Sequence, residues 1–347
     1  MKKEQHLLVI RLSAMGDVAM LVPVVMALTQ KYQNLRLRIL TKAMFTVFFD
    51  DIPNVEVQIA DTRGKHKSLP GILRLATEIP NRIDAIADVH NVLRSKILRR
   101  VLSMRGLKNE KIRKGRESKK KLTRTKNKIL KQLKTSHQRY ADVFERLGYP
   151  IKLSLENTKT KEEFSEQLKE EIQFSTTDKH IGFAPFAAHR SKRLTIEKTE
   201  FILQQLHEKS PKLKVILFGG GEKEINDLEA LANQFPNCLS AAGKFSFKEE
   251  LGLISNLDLM LSMDSGNGHL AAMYGVPVIT IWGGTHPFAG YAPFLQPKEN
   301  QFLPDLKKYP LLPLSIYGNK MIEGYESVID SVDYNAVVSR VIEITKA

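Results

Sequence analysis

Short apolar runs alternate with amphipathic stretches along most of the chain. In the first half, four runs are too short for buried helices and predict strands at 6–12, 35–40, 55–59 and 85–89. In the second half, strands are predicted at 180–184, 214–218, 257–262 and 278–282. Helical patterns occupy 18–31, 199–207 and 266–274. Because strands and helices alternate and the pattern restarts, the sequence predicts two α/β domains, each with a doubly wound parallel sheet.

Two further segments complete the predicted organisation. Residues 155–177 are polar and charged without a strong apolar period, which predicts a surface helix and a linker. Residues 333–345 show an amphipathic helical pattern whose apolar positions are Val337, Val338, Val341 and Ile342. We therefore expect an N-terminal domain at 1–165, a second domain at 176–332 and a C-terminal helix at 333–347.

The composition is that of an ordinary globular protein, since 42% of the 347 residues are hydrophobic and 26% are charged. This excludes a disordered chain and a collagen, and a single cysteine, Cys238, excludes a disulfide scaffold. The N-terminal apolar run is interrupted by Arg11 and Asp17, which a signal peptide would not tolerate. The longest uncharged stretch, 265–297, contains several glycines and prolines and does not predict a membrane span. We expect a cytoplasmic protein.

The positive charge is concentrated in one segment. Residues 94–139 contain 19 Lys and Arg against two Glu, a net charge of +17, whereas the whole chain carries +15. The rest of the protein is therefore close to neutral. Such a cluster predicts an anionic partner: a phosphorylated lipid, a nucleic acid or an acidic sugar. The segment lacks the interleaved aromatic residues on which single-stranded nucleic acids stack.

The turn after the first predicted strand carries candidate chemistry. Residues 11–18 read RLSAMGDV, at the carboxyl end of a strand, where open α/β sheets bind ligands. Gly16 allows close backbone approach, and Asp17 stands where the helix opens. A helix cap is the simpler interpretation of Asp17, because aspartate both caps a helix and complements its dipole.

Three segments of the second half also follow predicted strands. Residues 218–224 read FGGGEKE, which suits close approach to a phosphate or a ribose, or an ordinary turn. Residues 263–270 read MDSGNGHL, and the start of a helix there would bind a diphosphate. The basic run HRSKR at 189–193 could neutralise a phosphate or remain solvated. Residues 283–287 end the next strand, so we expect them at the same sheet edge as 263–270.

Nearly the whole chain resembles glycosyltransferase family 9, the ADP-heptose–lipopolysaccharide heptosyltransferases. The match is carried by 11–18, Lys192, 219–222, 264–266, 269–272 and 284–287, with 88–95, His137 and 145–148 as further landmarks. The resemblance implies a GT-B fold, in which two Rossmann-like domains face each other across a cleft and the last helix packs back on the first domain.

The same resemblance implies an inverting transfer without metal or other cofactor. The donor would be a nucleotide-sugar, ADP-heptose, bound by the C-terminal domain. The acceptor would be an anionic glycolipid of the lipopolysaccharide inner core, bound by the N-terminal domain. The protein would then be peripheral to the inner membrane, and no nucleic-acid partner is expected.

The resemblance also assigns roles to individual residues. Asp17 would be the general base, and Lys192 would offset charge on the leaving diphosphate. Donor-binding residues would be Gly219, Gly220, Glu222, Asp264, Ser265, Gly266, His269 and Thr285, with Glu224 as the alternative to Glu222 at the ribose. Acceptor-binding residues would be Ser13, Gly16, Arg94 and His137, to which the positive charge of the basic segment adds Lys119, Lys120 and Lys121. Two other functions stay open: nucleic-acid binding through 94–139, and a nucleotide-sugar epimerase of the same fold.

Overall fold

The computed structural model describes residues 3–163, 166–172, 175 and 177–346. The chain divides into two compact units. The first contains Met1–Lys114 and Lys134–Lys159, and the second contains Gly115–Leu133 and Thr160–Ala347. The stretch 115–133, which the sequence placed in the N-terminal domain, therefore clusters with the second unit.

Each unit is built on a parallel sheet. The first sheet has the order β3-β2-β1-β4-β5, with β1 (Gln5–Ile10), β2 (Leu35–Thr41), β3 (Val55–Ile59), β4 (Ala85–Asp88) and β5 (Lys108–Lys111). The second has the order β11-β10-β9-β6-β7-β8, with β6 (His180–Ala184), β7 (Lys214–Leu217), β8 (Cys238–Ser240), β9 (Leu259–Met263), β10 (Val278–Ile281) and β11 (Gln301–Phe302). The predicted α/β class with two Rossmann-like sheets is confirmed.

Helices connect the strands. Their bounds are α1 (Met15–Ala19), α2 (Val22–Lys31), α3 (Leu69–Glu78), α4 (Leu93–Ser103), α5 (Arg116–Thr123), α6 (Ser136–Leu147), α7 (Glu166–Glu171), α8 (Ile196–Lys209), α9 (Glu222–Ala232), α10 (Phe247–Asn256), α11 (Gly266–Met273) and α12 (Tyr334–Thr345). Within the described residues, no helix is long and apolar enough to cross a membrane.

The strand orders fix where a ligand can bind. In the first sheet the chain order reverses between β1 and β4, and in the second it reverses between β6 and β9. Loops leave the sheet in opposite directions at such a switch point, which opens a crevice at the carboxyl ends of the two strands. The segments after β1 and β4, and those after β6 and β9, contain most of the predicted site residues.

The C-terminal helix buries its apolar face within the second unit. Val337, Val338 and Val341 on α12 are fully buried in the core of the second unit, together with Ile202 and Leu203 of α8. The apolar face that the sequence identified is thus covered by its own unit. Packing of the helix on the first domain stays a prediction.

Candidate functional site

In the first unit, the buried Arg11 holds the candidate base Asp17. The guanidinium group forms an ion pair with the Asp17 carboxylate and donates to the carbonyl of Val89, after β4, at 2.9 Å. It also lies over the ring of Tyr140, 5.6 Å from the ring centroid. The Tyr140 hydroxyl donates to the backbone carbonyl of Asp17 at 3.2 Å. The N-cap of α1 is Ala14, so Asp17 is not the cap; its carboxylate is oriented by Arg11.

A buried carboxylate, that of Asp88, stabilises the loop after β4. Asp88 is fully buried and accepts from the backbone amides of His90 and Asn91 at 3.1 and 2.7 Å. The Arg99 guanidinium lies 3.4 Å from its other oxygen. His90 Nδ1 accepts from the amide of Leu12 at 3.4 Å, so the neutral ring carries its proton on Nε2. The loops after β1 and β4 are therefore joined at the switch point.

The second unit brings a cation, a carboxylate and a hydroxyl together at its own switch point. Lys192 follows β6, and its ammonium group lies 3.3 Å from Oδ2 of Asp264, which follows β9. Thr285, after β10, donates to the same oxygen at 2.8 Å. The Lys192 and Asp264 side chains are 12% and 11% exposed, so the pair is largely shielded from water. The expectation that 283–287 and 263–270 share one edge is confirmed.

The start of α11 lies beside this cluster. Ser265 is the N-cap residue and makes no capping bond with its side chain. Its hydroxyl oxygen is buried and has no hydrogen-bond partner among the described residues. Gly266 is the first helical residue, and His269 is 8% exposed one turn further on. Backbone amides at this helix start, together with Lys192, could bind a diphosphate.

The three glycines at 219–221 differ in their surroundings. A Cβ on Gly219 would lie 2.6 Å from Leu228, so this glycine allows β7 and α9 to pack closely. Gly220 donates its amide to Glu224 at 3.1 Å, and Gly221 has a φ of +87°. The Glu224 carboxylate also pairs with Arg193 at 3.2 Å, whereas Glu222 is exposed at the first position of α9.

The predicted acceptor residues are dispersed. Ser13 and Gly16 are half-buried near Asp17, the Arg94 guanidinium donates to the carbonyl of His66, and His137 is 4% exposed on α6.

The other three predicted acceptor residues, all lysines, lie in residues 115–133, which we call the basic strap. Lys119 is 9% exposed and its ammonium group donates to the Tyr291 hydroxyl, so it faces inward. Lys120 and Lys121 are exposed, and Lys121 pairs with Glu117 at 2.7 Å.

Sequence reasoning did not assign roles to Arg11, His90 or Tyr140. Their contacts join segments that lie about 80 to 120 positions apart in the sequence. The sequence offers only one signal for such contacts, which is a charged residue directly after a buried strand. Among the described residues, no group of three or more His, Cys, Asp and Glu side chains could hold a metal ion.

Comparison with known proteins agrees with this geometry. The sequence model of glycosyltransferase family 9 (heptosyltransferase) matches residues 72–311. Lipopolysaccharide heptosyltransferase 1 of Campylobacter coli is 20% identical, over 97% of this chain and 98% of that protein. A family 9 glycosyltransferase from Veillonella parvula superimposes with a TM-score of 0.73 and 18% identity, covering 100% of this chain and 99% of the other.

E. coli heptosyltransferase WaaC with ADP superimposes with a TM-score of 0.68 and 18% identity, covering 98% of this chain and 100% of that one. The likeness to WaaC shows a shared fold, and the family match supports a glycosyltransferase over the epimerase alternative. The chain belongs to glycosyltransferase family 9 and is a glycosyltransferase.

Proposed function

We propose that the protein transfers a heptose from ADP-heptose to an acceptor in the inner core of lipopolysaccharide, with inversion and without a metal ion. The observation that carries this proposal is the Lys192–Asp264–Thr285 cluster beside the start of α11, at the switch point of the second sheet. A cation, a helix N-terminus and a carboxylate side by side suit a diphosphate that is attached to a sugar. The names of the Campylobacter coli and E. coli relatives support heptose and ADP.

The donor would be held in the second unit. Lys192 and the amides at the start of α11 would bind the diphosphate, with Ser265, Gly266 and His269 beside it. As the bond between the anomeric carbon and the diphosphate breaks, the leaving oxygen gains charge, and Lys192 would stabilise it. Asp264 would accept hydrogen bonds from sugar hydroxyls. Glu222 would bind the ribose, because the Glu224 carboxylate is already engaged by Gly220 and Arg193.

Asp17 would act as the general base in the first unit. The acceptor hydroxyl would attack the anomeric carbon on the face opposite the diphosphate and give its proton to the Asp17 carboxylate. One carboxylate suffices, because an inverting displacement forms no covalent sugar–enzyme intermediate. Arg11 would keep the carboxylate in one orientation through the ion pair. Ser13, Gly16, Arg94, His137 and two exposed cations of the basic strap, Lys120 and Lys121, would contact the acceptor.

A peripheral contact with an anionic membrane would bring the enzyme to a lipid acceptor. Leu69 and Leu73, one turn apart on α3, are 55% and 45% exposed, and Leu93 at the start of α4 is 75% exposed. The loop before α3 carries the exposed cations Lys65 and Lys67. Apolar side chains among cations suit an anionic bilayer surface, where each cation contributes about 1 kcal/mol.

The test of the proposed function is a transfer assay with purified protein, ADP-heptose and an inner-core acceptor, following ADP release and the anomeric configuration of the product. We expect Asp17→Asn to lower kcat about 10²- to 10⁴-fold, because it removes a general base but keeps the side-chain shape. Asp142→Asn, on α6 of the same unit, is the matched control. Turnover above half of wild type in Asp17→Asn, or retention of configuration, would contradict the proposal.

A further inference from the structure

The basic strap, residues 115–133, is built into the second unit by contacts that its charge alone would not suggest. It contains eight Lys and Arg and a single Glu. Most of these cations are exposed, but Lys119 and Lys128 turn inward. Each binds a different loop of the second unit, and both loops contact the surroundings of Lys192.

The first anchor joins the strap to the loop after Thr285. The Lys119 ammonium group donates to the Tyr291 hydroxyl at 2.6 Å and lies 4.3 Å from the centroid of that ring. At the other end of the strap, the amide of Leu133 donates to the carbonyl of Phe288 at 2.9 Å. The loop that begins with Thr285, the partner of Asp264, is thus held at two points.

The second anchor joins the strap to residues 311–318. The Lys128 ammonium group donates to the carbonyls of Leu311 and Pro313 at 2.7 and 3.1 Å. Burial lowers the pKa of Lys128. Burial first, and then the charge of Lys128, lower the pKa of His286 to about 4, in keeping with a position near the loop after Thr285.

The segment 311–318 in turn shapes the position of Lys192. The amide of Leu314 donates to the carbonyl of Gly284 at 2.9 Å, and the amide of Gly284 donates to the carbonyl of Ser191 at 2.7 Å. The Ser191 hydroxyl donates to the carbonyl of Gly318 at 2.6 Å. A Cβ on Gly318 would lie 2.6 Å from Cγ of Lys192, so the lysine stem runs directly against this glycine.

From this chain of contacts we propose that the basic strap is a positioning element of the donor site: Lys128 and Lys119 fasten the two loops that set the position of the Lys192 ammonium group. Lys128 and Gly318 are accordingly positioning residues. The inference rests on the proposed function, in which Lys192 meets the donor diphosphate. It assigns part of the basic segment to the donor side of the reaction, a role separate from acceptor binding.

Gly318 and Gly324 form a matched pair for testing this chain of contacts. Their φ angles are +79° and +78°, so alanine brings similar backbone strain at either position. At Gly324, however, nothing lies within 4 Å of an added Cβ. Any effect of Gly318→Ala beyond that of Gly324→Ala therefore comes from the contact with Lys192. In the strap, the exposed Lys126 is the corresponding control for Lys128.

The experiment measures ADP affinity by calorimetry and kcat/KM for the donor in Lys128→Met, Gly318→Ala and their two controls, each with and without Lys192→Ala. Thermal unfolding shows which variants are folded. We expect Lys128→Met and Gly318→Ala to lower kcat/KM about 10- to 100-fold, because a displacement of about 1 Å at a reacting centre costs up to about 10² in rate. In the Lys192→Ala background the same changes should have little further effect on ADP affinity, which marks them as coupled.

The outcomes separate this inference from the proposed function. If Lys192→Ala binds ADP as tightly as wild type, the proposed role of Lys192 is wrong and the strap has nothing to position. If Lys192→Ala weakens ADP binding but Lys128→Met behaves like Lys126→Met, the proposed function stands and the strap inference is overturned. Equal losses of affinity in both backgrounds would also overturn it, because they would show a general structural effect. Should Lys128→Met fail to fold, Gly318→Ala against Gly324→Ala decides the question.

Discussion

Acid should destabilise the first unit through His90. This residue is 8% exposed, and its Nδ1 atom accepts a hydrogen bond from the amide of Leu12, which only a neutral ring can do. Burial first, and then the positive charges of Arg11, Lys114 and Lys42, lower the pKa of His90 to about 3. A protonated His90 would also repel Arg11, the partner of Asp17.

The size of this destabilisation follows from the difference between the histidine pKa of the folded state and that of the unfolded state. In the unfolded chain a histidine has a pKa of about 6.5, so protons bind the unfolded state preferentially below that pH. The stabilisation by neutral His90 is therefore present above pH 6.5 and is lost as the pH falls toward about 3. Between pH 7 and pH 5 the loss is about 2 kcal/mol, because the folded ring stays neutral at both pH values and only the unfolded chain takes up the proton.

The assay is urea unfolding followed by circular dichroism at pH 7 and pH 5, for wild type and His90→Asn. Asparagine offers Oδ1 to the Leu12 amide but does not titrate. Other groups titrate equally in both proteins, so the difference between the two pH-induced losses isolates His90. We expect wild type to lose about 2 kcal/mol more than the variant. Equal losses would refute the reasoning, because they would mean that folded His90 accepts a proton as readily as the unfolded chain does.

Two further predictions follow from the proposed function. Excess chelator should leave the transfer rate unchanged, and a loss of activity that magnesium or manganese restores would contradict a metal-independent reaction. The triple change Leu69→Ser, Leu73→Ser and Leu93→Ser should weaken binding to anionic vesicles at least tenfold in a flotation assay, because each leucine that leaves water contributes about 1.5–3 kcal/mol. ADP affinity should not change, and Leu155→Ser, 61% exposed elsewhere in the first unit, should bind vesicles like wild type.

The sequence predicted the central strands well because of where they lie. β6, near the centre of the second sheet, has the predicted bounds, because a strand that is covered on both faces needs nearly continuous apolar residues. β3 also has the predicted bounds although it lies at an edge of the first sheet, because its apolar residues alternate with polar ones. The edge strands β5, β8 and β11 were not predicted. The sequence of β5 is KNEK, which has no apolar residue. A short edge strand is held by backbone hydrogen bonds and does not need an apolar face.

One predicted helix is two in the structure. The pattern at 18–31 continues through α1 and α2, because both helices bury apolar residues. The break between them falls just before Pro23, which lies at the start of α2 and lacks the N–H that a helix interior would require. Pro23, near the beginning of the predicted helix, thus marked the start of a second helix.

The two sites differed in how far they could be predicted. Asp264 and Thr285 follow neighbouring parallel strands, so their meeting was expected from the order of elements alone. To predict the contacts of Arg11, one would need to know that β4 lies beside β1. One would also need to know that the helix carrying Tyr140 lies next to the loop after β1. Local sequence could identify Asp17 as unusual, but only the strand order shows what orients it.

The basic strap shows why a count of charges does not predict where the charges go. Helix α5 reads RESKKKLT, and Leu122 is its only apolar side chain and is fully buried. Lys119 precedes Leu122 by three positions, which places both on one face of the helix. The stem of a lysine on that face is covered by apolar surface, and its ammonium group must then find an acceptor, here the Tyr291 hydroxyl. In a basic helix with a single leucine, the lysine three positions before it is therefore the one to expect inside, whereas its neighbours Lys120 and Lys121 remain exposed.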